Sequence, residues 1–202
     1  MKFQSILFSA LVAGLLFSCG KKEESSEKEV VSGEQISYTV DAESSVVSWK
    51  GSILGINFHT GTAAVKEGTL EVAGNQLKGG SFTVDLTKLA ATDENYEEGK
   101  GSKADLIGHL SSPDFFSVAE FPTATFVVKS VEGNTAIGDL TVKGKTNEEK
   151  ITDIEITPTG EGVTGKGKLV FDRQKYGVSF KVPGEVVLSD NIEVEISVVA
   201  KK

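Results

Sequence analysis

Apolar residues recur at every second position from Ile36 almost to the C-terminus, and that period decides what this chain can fold into. Val47 and Trp49 alternate with Ser48 and Lys50, Leu70 and Val72 flank Glu71, and Phe82, Val84 and Leu86 alternate with Thr83 and Asp85. Further on, Phe126 and Val128 stand against Lys129, Leu140 and Val142 against Thr141 and Lys143, and Ile154 and Ile156 around Glu155. Leu169, Phe171 and Arg173 share a face, and Ile192, Val194, Ile196 and Val198 are spaced by Glu193, Glu195 and Ser197. A strand turns successive side chains to opposite faces, so each run reads as a strand with one buried face, about eight or nine in all.

Gly, Asn and charged clusters punctuate the runs at hairpin spacing: Ala73-Gly74-Asn75, Glu132-Gly133-Asn134, Lys143-Gly144-Lys145 and Thr159-Gly160-Glu161-Gly162. Consecutive antiparallel hairpins follow. The one helical segment runs from Ser102 to Leu110, where Ala104, Leu106, Ile107 and Leu110 fall near helical spacing. From Val178 to Leu188 the alternation is irregular, broken by Pro183-Gly184. The fold class is therefore all-β, an antiparallel barrel of about eight strands with a sandwich as the alternative. A barrel abolishes sheet edges and, at this size, has room for packed side chains or for one ligand.

The helix leads into the stretch that fits least well with a surface connection. His109 to Phe126 places adjacent aromatics, Phe115 and Phe116, in a turn-rich link bracketed by Pro113 and Pro122, where polar residues are usual. Such a link must be buried or occupied, and it reads as the plug or floor of the barrel, with Leu110, Phe115 and Phe116 turned to the lumen. The chain has eleven Phe and one Trp, and Trp49, Phe82, Phe121, Phe126 and Phe171 fall where a barrel interior or its plug would be. They are either ligand-lining or plain core. His109 is either a polar contact at a ligand's head or a residue that fixes its loop. Arg173, inward by alternation, is either half of a structural ion pair or a contact for an anionic ligand group.

Before the barrel, residues 1–18 read as a secretory signal: Lys2 supplies the charge, and Ile6 to Phe17 form an apolar stretch too short to span a bilayer. Leu16-Phe17-Ser18-Cys19-Gly20 resembles a bacterial lipobox, which implies acylation of Cys19, the one cysteine in the chain. Residues 19–35 are charged and lack periodicity, as a flexible acidic tether does. Within them Lys22-Glu23-Glu24 resembles a surface-export signal of some lipoproteins. Residues 36–202 form the barrel domain, and their composition is that of one globular unit.

Several function classes drop out. The net charge of −8 argues against a nucleic-acid partner. His59 and His109 lie fifty residues apart without a His or Cys at metal-ligand spacing, and neither GxxxxGK[ST] nor a strand-GxGxxG-helix unit is present. No nucleophile, base and orienting group assemble from these residues, so an enzyme is not expected, and neither is a cofactor. Monomer and dimer both fit the pattern.

Four segments resemble the YceI-like polyisoprenoid-binding family in order: Tyr38-Thr39-Val40-Asp41 with Ser45, Val47 and Trp49; His109-Leu110 through Phe115-Phe116 to Pro122; Gly138-Asp139-Leu140-Thr141-Val142-Lys143-Gly144; and Phe171-Asp172-Arg173 to Tyr176-Gly177. The resemblance implies a lipocalin-like barrel that holds a long-chain isoprenoid or similar amphiphile in its lumen, for carriage, storage or sequestration at the cell envelope. Together with the inward aromatics it gives the expected ligand-binding set: Trp49, Phe82, His109, Leu110, Phe115, Phe116, Phe121, Phe126, Phe171 and Arg173. The lipobox departs from the family's commoner soluble periplasmic form and implies a lipid-anchored protein at the periplasmic or surface face of the outer membrane. The alternative is a membrane-tethered interaction module with a packed barrel core.

Overall fold

A computed structural model describes residues 33–54, 56–96, 101–181, 184 and 187–202. The signal segment, Cys19, nearly all of the tether, and Pro183 lie outside the described residues. Among the described residues nine strands follow in order: β1 (Gln35–Val40), β2 (Val46–Ile53), β3 (Asn57–Ala73), β4 (Gln76–Ala91), β5 (Thr123–Glu132), β6 (Thr135–Val142), β7 (Lys145–Pro158), β8 (Gly162–Asp172) and β9 (Leu188–Lys201), with one α-helix, α1 (Lys103–Ser111), between β4 and β5.

The sheet closes on itself. From β4 the strands pair antiparallel in sequence order through β5, β6, β7 and β8 to β9, and β3 pairs with β4 on the far side. Both β1 and β2 fill the gap between β9 and β3. β2 pairs from Val46↔Ala64 to Ile53↔Asn57, and β1 continues the same line farther down β3, from Gln35↔Ala73 to Thr39↔Thr69. The two therefore act as one interrupted strand, and the barrel has eight staves.

The interruption, Asp41 to Ser45, is tied in by side chains. Asp41 Oδ1 accepts the N–H groups of Glu43 and Ser44, and buried Ser45 Oγ accepts the Val199 N–H at 3.0 Å. Each bond replaces one that a continuous ladder would have made.

The hairpins form where the turn clusters predict. Between β6 and β7, Lys143 and Gly144 both have positive φ, 49° and 71°, the twist that a two-residue I′ turn matches to the flanking strands. Register shifts in the β3–β4 and β7–β8 pairs are bulges that curve long strands round the barrel.

Helix α1 starts with a capping box: Ser102 Oγ accepts the Asp105 N–H, and the Asp105 carboxylate accepts the Ser102 N–H at 2.9 Å. Ala104 does not join the apolar face expected of it and is exposed; Leu110 is buried, and Leu106 and Ile107 are half-buried. The following link folds back on the helix through bonds from Phe116 N–H to Leu110 O and Val118 N–H to Ser111 O. α1 and this link cap one end of the barrel, packing Leu110 and Phe115 against Val178 in a small core of their own. The main core lies below, inside the staves.

Candidate functional site

Inside the capped barrel is a cavity of about 450 Å³, within the range of small-molecule sites. Its walls follow from the period-two pattern. β2 contributes Val47, Trp49, Gly51 and Ile53, and β9 contributes Ile192, Val194, Ile196 and Val198, while the residues between them face out. Phe82, Val84, Val194 and Ile196 point inward yet are only half-buried, because the space in front of them is not filled by side chains. The barrel interior is thus not the packed core of the alternative reading.

Eight of the ten residues assigned to a ligand line this cavity: Trp49, Phe82, His109, Leu110, Phe115, Phe116, Phe126 and Phe171. Trp49 presents its ring as wall, since its Nε1–H donates to Thr62 O at 3.3 Å. The ring lies over Gly61 of β3, where a Cβ would come within 2.1 Å of it, so glycine there permits the crossing. Phe115 and Phe116 meet edge to face at 4.9 Å between centroids and roof the cavity.

Two placements differ from the expectation. Phe121 is not on the lining; its ring lies against Gly144, so close that a Cβ there would sit 2.6 Å away. It braces the β6–β7 turn from outside. Arg173 is buried but also absent from the lining, because β8 ends at Asp172 instead of carrying the alternation on. The Asp172 carboxylate accepts the Gln174 N–H at 2.8 Å and starts a 3-10 turn over Arg173–Tyr176, which Gly177 ends with a φ of 74°. The guanidinium points into the backbone of the next segment. Its Nη1 donates to Val178 O at 2.6 Å and Phe180 O at 3.0 Å, its Nε to Ser189 O at 2.9 Å, and its Nη2 pairs with Asp190 at 3.0 Å.

The lining is apolar almost throughout. Trp49, His59, His109 and Thr125 are its members with a polar side-chain atom, and among the described residues on it there is no Lys, Arg, Asp or Glu. His109 stands between Phe115 and Phe180, with centroids 5.6 and 4.4 Å away, and its Nε2 is buried without a hydrogen-bond partner. A buried, unpaired ring nitrogen costs about 1–3 kcal/mol. His109→Leu is therefore expected to raise the stability of ligand-free protein by about 1 kcal/mol in denaturant titration; a loss of that size instead would reveal an internal partner for the imidazole.

His59 is a lining residue that sequence reading treats only as a metal candidate. Alternation with Ala63 and Val65 places it inward, which is the signal that could have found it. Its Nδ1 lies 3.2 Å from Asp93 Oδ1, and Tyr96 stacks on its ring at 5.1 Å. Burial pushes the Asp93 carboxyl up, but the N–H groups of Thr60 and Asn95 and the neighbouring His59 outweigh it and hold the carboxyl below its ordinary value. Asp93 thus stays ionised and orients the imidazole at the cavity wall. Among the described residues no three His, Cys, Asp or Glu side chains converge as a metal site requires.

Comparison with known proteins finds the same pattern elsewhere. The family model of the YceI-like domain matches residues 38–200. A UPF0312 protein of Staphylococcus epidermidis is 36% identical over 126 residues, covering 56% of this chain and 72% of that protein. One from Staphylococcus aureus is 40% identical over 103 residues, covering 44% of this chain, and the match spans only 57% of that relative's length. Among solved structures, BcnA of Burkholderia cenocepacia superposes with a TM-score of 0.54 at 20% identity, covering 79% of this chain and 98% of that one. A polyisoprenoid-binding domain from Saccharophagus degradans, implicated in plant cell wall breakdown, gives 0.55 at 12% identity, covering 81% and 97%. These two likenesses concern the barrel itself.

Proposed function

The chain belongs to the YceI-like family, and from that membership we propose that it is a binding protein holding a long-chain isoprenoid or similar amphiphile in its lumen, for carriage, storage or sequestration at the cell envelope. The observation that carries this is the chemistry of the cavity: of the thirty described residues that line it, none is Lys, Arg, Asp or Glu. An apolar chain leaving water for such a site gains roughly 0.8 kcal/mol per buried CH₂, so length supplies the affinity without a strong polar contact.

The same lining bears on the head group. A phosphate or pyrophosphate inside the lumen would meet no lysine or arginine among the described lining residues, so a neutral head group fits it better. Acylation at Cys19 would hold the domain beside its lipid supply and raise its effective concentration there, at the periplasmic or surface face of the outer membrane.

Organic-solvent extraction of purified protein followed by mass spectrometry is expected to release a long apolar amphiphile, and stripped protein is expected to take up a labelled isoprenoid. Protein that carries no amphiphile and takes up none would overturn the reading.

A further inference from the structure

The outer surface of the barrel is polar where the sheet alternation turns residues outward: Ser48, Lys50 and Ser52 on β2, Thr60 and Thr62 on β3, Glu193 and Glu195 on β9. At one end the rule fails. Around the β2–β3 hairpin, Leu54 is 57% exposed, Ile56 66%, Phe58 45% and, beside them, Val187 57%. Leu54 N–H bonds Val187 O at 2.8 Å, which joins the hairpin to the segment entering β9. Three of these four side chains adjoin the cavity wall in sequence: Ile53, His59 and Leu188 line the lumen directly next to Leu54, Phe58 and Val187. The apolar lining therefore runs out over the end of the barrel as an apolar collar. Among the described residues the other large exposed apolar side chains, Val46, Val127 and Val170, stand on three different strands.

We propose that this collar is a bilayer-contacting lip, at which the lumen exchanges its occupant with a membrane. The exchange rests on the lumen reading above; the contact does not. A bilayer is the partner that fits. Among the described residues the collar is four side chains, three at a hairpin tip and Val187 beside them, against the roughly 20–30 residues a side of a stable protein interface. Two of the described charged groups beside it have partners within the chain, Lys50 with Glu193 at 3.1 Å and Asp93 with His59 at 3.2 Å. Lys50 Nζ also sits 5.6 Å from the Phe58 ring centroid, an aromatic and a lysine side by side, as at membrane interfaces. Binding should therefore be insertion of apolar groups into a zwitterionic surface and should survive high salt.

Tryptophan fluorescence of the full-length chain tests it. Ile56→Trp places a probe in the lip, and Glu161→Trp places one on the β7–β8 hairpin at the opposite end, with Trp49 as background common to both. With phosphatidylcholine vesicles, Ile56→Trp is expected to shift to the blue and to be quenched by brominated acyl chains several-fold more than Glu161→Trp, equally at low and high salt. An N-terminal anchor alone would not produce that result, because β1 enters the barrel at the end opposite the hairpin. Emission from Ile56→Trp that vesicles leave unchanged would overturn the proposal. So would a blue shift without vesicles that grows with protein concentration, which would make the collar a contact between copies. Insertion without isoprenoid uptake would support the lip while sinking the lumen reading.

Discussion

Arg173→Ala is expected to cost about 3–5 kcal/mol of stability, as the stranding of several backbone carbonyls at about 1–3 kcal/mol each does, which lowers the midpoint of thermal unfolding by roughly 6–20 °C in a protein of this size. The guanidinium is the shared donor for three backbone carbonyls, of Val178, Phe180 and Ser189, and for Asp190. Truncation leaves those carbonyls without a donor in a region where Val178 is fully buried. Arg173→Lys should recover little, since an ammonium cannot reproduce a planar fork with donors in several directions. Denaturant unfolding of the three proteins reads the effect. If stability is unchanged and isoprenoid affinity falls instead, the side chain serves a ligand head and not the segment between β8 and β9.

Val194→Trp is the complementary change, expected to leave the fold standing and to empty it of function. Val194 lies on β9 between Trp49 of β2 and Leu169 of β8, facing the unfilled lumen. An indole there occupies space that an alkyl chain would otherwise take. Displacing about four methylenes at roughly 0.8 kcal/mol each removes about 3 kcal/mol, or roughly 100-fold in affinity. Glu195→Trp, one residue along and on the outer face, should leave affinity as it was. Equilibrium titration with a fluorescent isoprenoid separates the two, and equal affinities would place the ligand outside the lumen.

The contrast between these two residues shows what the sequence can and cannot display. Val194 is legible, because a strand's alternation holds wherever the ladder is continuous, and the same is true of Trp49, Phe82, Phe126 and Phe171. The hairpins and α1 are legible for a related reason: a Gly-Asn pair, or the spacing of Leu106, Ile107 and Leu110, acts over a few residues. Of the two readings of Arg173 the structure shows the ion pair, with Asp190, while its inward placement does not hold because the alternation ends one residue before it, at Asp172, whose carboxylate starts a turn. The pair Asp172 and Gly177, a cap and a left-handed stop, carried that information. Phe121 fails differently, since its partner Gly144 is distant in sequence and meets it only once β6 and β7 are in place. The unfilled lumen is a property of summed side-chain volumes around a closed ring, which no local pattern encodes; alternation identifies the inward residues without saying whether they meet.

The interrupted stave has a mechanical consequence. A load applied at the N-terminus enters the barrel at Gln35 and runs along β1, at right angles to its five pairs with β3 and its two with β9. The pairs are then loaded together, in shear, and not peeled one at a time. Should they give way, the break at Asp41 to Ser45 stops the rupture short of β2, whose pairs with β3 and β9 keep the ring closed around the upper part of the cavity. A chain pulled by its N-terminus would thus surrender β1 as a fuse before it opened its lumen.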